Sequence, residues 1–357
     1  MIGLFFCGER GIRTPGTLLY AGFQDQCIRP LCHLSKRENK NRNIFRSSEK
    51  FIIFFHTIFK LVFCYLAIQF LRLKNIILNT LFYLISLLPI WCLYLFSNFL
   101  YLIVYKIIGY RKNIVFTNLQ NSFPNKTYEE LNNIQNRFYR HFFDVIVESI
   151  KAVSASEFFL RKKVVFKNIE MFEKHFNNNQ SIVLAVSHYG NWEWGILGIS
   201  LNVKQKMTGV YKKLNNSFFN NFMNKNRGKF GADLVEMNDT YRYLVNKKEE
   251  CKIIGLLADQ SPVKDETNYW TTFLNQETAV YLGPEKIAKK FNYPVVFCSM
   301  KKIKRGYYEV FIEELCTNPE KTTKGEITSL YLRKMEEKIN EQPEYWLWSH
   351  RRWKHKK

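Results

Sequence analysis

Residues 181–195 read Ser-Ile-Val-Leu-Ala-Val-Ser-His-Tyr-Gly-Asn-Trp-Glu-Trp-Gly, and their composition changes abruptly partway along. Ile182 to Val186 is an unbroken apolar run bounded by polar residues, the pattern of a strand buried on both faces. It gives way at once to Ser187, His188, Tyr189, Gly190, Asn191, Trp192 and Glu193. Open α/β sheets place reacting groups at such strand ends, because the sheet fixes position while the loop admits substrate. On one continuous helix His188 and Glu193 would stand about 140° apart around the axis. They meet only if the chain turns between them, and Gly190-Asn191 is suitable turn chemistry.

Working outward, six further short apolar or β-branched runs alternate with longer helical or loop stretches. They are Val164 to Phe166, Met207 to Tyr211, Leu234 to Met237, Ile253 to Ala258, Val295 to Cys298 and Tyr308 to Ile312. Upstream, Thr127 with Glu130 three residues later matches a capping box. Leu131, Ile134, Phe138, Phe142 and Val145 follow at helical spacing and predict a long amphipathic helix to about Val153. The alternation predicts an α/β fold, a central sheet flanked by helices, with no linker dividing residues 111–357. Thr271 to Pro284 reads as a loop carrying Phe273 and Gly283 that borders a pocket.

The N-terminal third differs in kind. Residues 1–73 contain no sustained core pattern, and they are expected to form a disordered or non-native leader. Ile76 to Tyr105 carries no charged residue, and its thirty residues exceed the roughly 20 that cross a bilayer. Pro89 either kinks this helix or splits it into a hairpin-like pair. Residues 74–110 therefore read as a membrane-anchoring helical segment, and 111–357 as the domain that holds the sheet. Lys106, Arg111 and Lys112 follow directly, which places the remainder on the cytoplasmic side if the segment spans.

A formal charge of +22 implies an anionic partner: anionic lipid, an acidic carrier protein or nucleic acid. No zinc-finger spacing or RNA-binding aromatic signature supports nucleic acid. Eight scattered cysteines form neither a disulfide framework nor a paired metal site.

A histidine and an acid at this spacing are more often structural than catalytic, so the wider pattern decides. His188 to Glu193 resembles the His-four-residues-acid motif of the glycerolipid acyltransferase superfamily. Its Asn191-Trp192-Glu193 version resembles the late acyltransferases of lipid A biosynthesis. The resemblance extends in order through Ile108 to Lys112, Asn118-Leu119 to Pro124, Asn226-Arg227-Gly228 with Gly231, Ala258-Asp259-Gln260, and Pro343 to Lys354. It implies transfer of a fatty acyl chain from an acyl carrier protein thioester to a hydroxyl of a lipid A precursor, at the inner membrane and without a cofactor. His188 would take the hydroxyl proton while Glu193 orients the ring and stabilises its cation.

Substrate contacts are expected from Asn191, Tyr211, Lys212, Arg227, Asp259, His350, Arg351 and Arg352. The family commonly has Arg-Pro after the tyrosine, where this chain has Lys212-Lys213; lysine keeps the charge but loses the bidentate fork. Trp346, Trp348 and Trp353, interleaved with His350, Arg351 and Arg352, suit a lipid headgroup interface. Two alternatives remain open at this point. One is a glycerolipid or other glycolipid acyltransferase using the same residues, and the other a non-catalytic protein binding anionic lipid or nucleic acid.

Overall fold

The computed structural model describes residues 69, 70, 72–264, 267 and 269–357, so the expected leader lies, up to residue 68, outside the described residues. The chain divides into one unit of Met1–Leu81 with Leu214–Phe219 and a second of Phe82–Lys213 with Asn220–Lys357. In the first, the Asn216 side chain accepts the Phe219 N–H at 3.1 Å. The second holds the sheet and the site residues described below.

Among the described residues seven strands form the sheet: β1 (Val164–Phe166), β2 (Ile182–Val186), β3 (Lys206–Tyr211), β4 (Asp233–Glu236), β5 (Lys252–Leu257), β8 (Val295–Lys304) and β9 (Tyr307–Cys316). Their order is β1-β9-β8-β2-β5-β3-β4. β8, β2, β5, β3 and β4 run parallel, while β9 folds back on β8 as a hairpin and pairs with β1. Five contain whole the runs read from sequence, the last two extended by the hairpin, while β4 and β5 each stop one residue short of the end of theirs. The remaining pair, β6 (Trp270–Phe273) and β7 (Gln276–Ala279), corrects the expected loop. These two strands form a separate antiparallel hairpin across Leu274-Asn275, both at positive φ. Their polar Thr and Gln residues carry no apolar alternation, and only docking of Phe273 into the interior reveals them as strands.

β2 and β5 sit at the middle of the sheet, and Ile182, Val183, Leu184, Ile253 and Ile254 are completely buried. Helices cover the sheet, among them α7 (Trp192–Asn202), which starts directly after the polar turn. The predicted amphipathic helix is α4 (Tyr128–Lys151), and Thr127 and Glu130 make both bonds of the capping box. One face of α4 buries Leu131, Phe138, Phe142 and Val145, as its spacing requires. Near its C-terminal end it also buries His141, Asp144 and Glu148, which no amphipathic pattern would place inside.

The apolar N-terminal run breaks at Pro89, as its sequence suggests. Helix α1 covers residues 72–87, and α2 (Ile90–Leu100) continues into a wider π-helical turn, Tyr101–Ile107. The carbonyls of Ser86 and Leu88, at the interrupted end of α1, are met by the Lys151 ammonium at 2.8 and 3.0 Å. Ile90–Ile107 is long and apolar enough to cross a membrane, yet 28% of it is buried. Its inner face is tied to α4 by polar bonds: Ser97 donates to Asp144 at 2.8 Å and Tyr94 to Glu148 at 2.7 Å. Its outer face leaves Trp91, Leu95 and Phe99 more than half exposed.

Candidate active site

The turn after β2 is built from both ends of the chain. Gly190 adopts a φ of 68°, and an added Cβ would press to 3.0 Å from the Met300 side chain, so both conformation and space favour glycine here. Leu347 donates its N–H to the His188 carbonyl at 3.1 Å, and Gly190 donates to the Tyr345 carbonyl at 3.0 Å. The C-terminal segment thus runs antiparallel beside the turn, with a bridge between Tyr189 and Trp346. Arg111 and Asn118 pin that segment in turn, donating to the carbonyls of Ser349 at 2.7 Å and Trp348 at 2.9 Å. Blocks separated by more than two hundred residues therefore meet around His188.

The imidazole of His188 is held by Asp259. Nδ1 lies 2.8 Å from Asp259 Oδ1, and the His188 backbone N–H donates to Oδ2 at 3.0 Å. Trp346 Nε1 also donates to Oδ2, at 2.9 Å. Burial pushes the Asp259 carboxyl up, but His188 and the hydrogen bonds from the His188 backbone and Trp346 outweigh it, and the group settles at about 2. A carboxylate so firmly ionised accepts the Nδ1 proton, which leaves Nε2 as the basic nitrogen. Nε2 stands 3.3 Å from the Gln260 side-chain amide, while Trp192 packs edge-on against the ring at 5.2 Å.

This pairing corrects the expectation that Glu193 orients His188. Glu193 sits in the first turn of α7, where its charge suits the helix N-terminus. There it is clamped by Arg227, the last residue of α8 (Ser217–Arg227). Arg227 Nε donates to Oε2 at 2.9 Å and Nη2 to Oε1 at 2.6 Å, a bidentate pair, and Trp192 Nε1 donates to Oε1 at 3.2 Å. Burial raises the Glu193 carboxyl, but the guanidinium more than offsets it, and the group stays below the ordinary carboxylate range. The physical reason is register. β2 and β5 pair in parallel with Val186 opposite Leu257, so two residues further on His188 stands level with Asp259. That signal was in the sequence, as two matching apolar runs each closed by a polar residue, but it needs the strand pairing to be read.

The other expected contacts divide. Burial lowers the pKa of the Arg227 guanidinium, but Glu193 and, after it, Tyr211 at the end of β3 more than offset this and raise it. Lys212 and Arg351 are exposed and His350 is half-buried. Asn191 and Arg352 are not at a surface. Asn191 is fully buried, caps α7 by accepting the Trp194 N–H at 2.9 Å, and donates to Glu148 at 2.6 Å. Arg352 is buried too, donating to the Ala279 carbonyl of β7 at 2.7 Å, and burial lowers its pKa to about 10. The expected tryptophan interface is likewise corrected. Trp346 and Trp348 pack edge to face at 4.7 Å in the interior, and Trp346 also meets Phe273. Their ring area stabilises the wall behind Asp259 instead of meeting lipid.

The comparison with known proteins agrees with the order of these blocks. A family model described as bacterial lipid A biosynthesis acyltransferase matches residues 66–355. No curated protein matches the chain. The matched span takes in the apolar helices, the whole sheet, His188 with Asp259, Glu193 with Arg227 and the C-terminal block, and the chain belongs to the bacterial lipid A biosynthesis acyltransferases.

Proposed function

We propose that this acyltransferase moves a fatty acyl chain from an acyl carrier protein thioester to a hydroxyl of a lipid A precursor, with His188 as general base. One observation carries the choice of base: Nδ1 is committed to Asp259 at 2.8 Å while the ring keeps a solvent-accessible edge. Nε2 takes the proton of the acceptor hydroxyl as its oxygen bonds to the thioester carbonyl carbon. The tetrahedral intermediate then collapses, the carbon–sulfur bond breaks, and the imidazolium returns the proton to the departing thiolate. Asp259 stabilises the transient imidazolium and holds the tautomer. In the resting site Gln260 occupies the position of the hydroxyl, so its side chain swings away when the acceptor arrives.

Arg227 enters this scheme already partnered. Two of its N–H groups are spent on Glu193, so a substrate phosphate meets a guanidinium whose charge is partly offset, with Tyr211, Lys212 and Arg351 as the further polar contacts. The outward apolar face of α2 anchors the protein to the inner membrane, with the sheet on the cytoplasmic side where both substrates are found. No cofactor takes part. The test supplies purified protein with acyl carrier thioester and either a lipid A precursor or a glycerolipid acceptor, and identifies the product by mass. Acylation of the lipid A precursor supports the reading; acylation of the glycerolipid alone rejects it.

A further inference from the structure

Glu148 is a completely buried carboxyl that the acyl-transfer scheme leaves unused. It accepts three side-chain hydrogen bonds from three separate parts of the fold. Tyr94 of α2 donates to Oε1 at 2.7 Å, Tyr308 of β9 to Oε2 at 2.7 Å, and Asn191 of the turn to Oε2 at 2.6 Å. Its backbone carbonyl takes the Trp194 indole at 2.8 Å, so both sides of Glu148 grip the start of α7. One turn earlier, Asp144 is bound by Lys302 at 3.2 Å and by Arg305; burial, and then Asp144, push the Glu148 carboxyl up to about 7 against the pull of Lys302. His141, one turn earlier again, meets the Gly190 carbonyl at 3.1 Å. Two inward polar residues on one face of α4, His141 and Glu148, thus back the turn between His188 and Glu193.

A carboxyl group is the side chain that sets two oxygens side by side to meet three such partners. A hydrophobic residue here would leave Tyr94, Tyr308 and Asn191 each with a buried donor unmet, a costly arrangement. The bond to Asn191 matters most for chemistry, because Asn191 sets where α7 begins and Glu193 lies two residues on. We propose that Glu148 is a positioning residue for acyl transfer: through Asn191 it fixes the first turn of α7, and with it the Glu193–Arg227 pair beside His188. The inference rests on the placement of the reaction at this turn.

The test compares wild type, Asn191→Asp and the exchange Glu148→Gln with Asn191→Asp, each as full-length protein in detergent. It measures kcat and KM with any acyl thioester that wild type turns over, and amide exchange over residues 191–196 by mass spectrometry. In Asn191→Asp the cap on the Trp194 N–H is kept but two carboxyl groups face each other where a donor met an acceptor, and the expected result is a fall in kcat of about 10-fold or more with little change in KM and faster exchange. The exchanged pair restores a donor and an acceptor between the two positions, so much of the lost kcat and protection should return. Wild-type kcat in folded Asn191→Asp overturns the proposal, as does a doubly substituted protein no more active than the single one. His188→Ala, run alongside, reports on the base itself; an active His188→Ala would reject the base without touching the Glu148 result.

Discussion

Two acid residues flank the same histidine, and the one further away in sequence does the work expected of the nearer. Asp259, 71 residues beyond His188, bonds its ring and its backbone. Glu193, five residues on, spends both oxygens on Arg227. The two carboxylates differ in how they are held. Asp259 is 1% exposed and surrounded by neutral donors and one imidazole, whereas Glu193 is matched against a permanent cation. A motif of histidine and acid therefore contains two devices: a histidine whose ring is held by an acid from a neighbouring strand, and an ion pair at the start of the adjacent helix.

The comparison breaks most visibly at the base. His188→Ala should lower turnover by roughly 10²- to 10⁴-fold, the usual value of general-base assistance, with folding checked by thermal unfolding. Adding Asp259→Ala to it should change little, since residues acting as a unit are strongly non-additive. Asp259→Asn alone should cost about 10²-fold or more in kcat, because the amide can present its NH₂ to Nδ1 and favour the wrong tautomer. Glu193→Gln should fall short of that loss; equal losses in the two variants would return Glu193 to the orienting role.

The ion pair is sharpened by stability measurements. Arg227→Met strands a buried carboxylate and should destabilise by about 3 kcal/mol, at the low end for a broken buried pair because the Arg227 side chain keeps a quarter of its surface exposed. Glu193→Gln with Arg227→Met should recover most of that in urea unfolding, and a double variant as unstable as the single one would deny the pairing. Asp259 supplies the pH signature. Its folded pKa of about 2 lies below the ordinary 3.8, so its contribution is present above about pH 4 and lost as pH falls toward 2. The gap is worth about 2 kcal/mol, and Asp259→Asn should lack that part of the acid-induced loss in unfolding free energy between pH 5 and pH 2. The smallest effect belongs to Trp346→Phe, which removes one donor from Asp259 Oδ2 and should cost about 1 kcal/mol in the same assay.

How much of this was readable from sequence depends on the range of the interaction. All seven strands of the main sheet announced themselves as short apolar runs, and Thr127 with Glu130 announced the start of α4, because these patterns depend on neighbours a few residues away. β6 and β7 did not, since polar Thr and Gln are held in strands only by what they dock against. Asn191 looked like a turn residue open to substrate. Its burial depends on Glu148, 43 residues earlier on a helix whose pattern predicted an apolar inner face.

By itself the sequence determined the α/β layering, the break at Pro89 and the polar turn after β2 that carries His188. Each is local: a periodicity, a missing N–H, or a strand giving way to glycine. Tertiary structure alone decided which acid serves the histidine, because the parallel register of β2 on β5 sets Asp259 level with it. It also decided that Trp346, Trp348 and Arg352 turn inward. Large rings and a guanidinium stem are stable in lipid, in water or in a core, and only the docking of the C-terminal block on Arg111, Asn118 and the β6–β7 hairpin makes the interior their best-packed place.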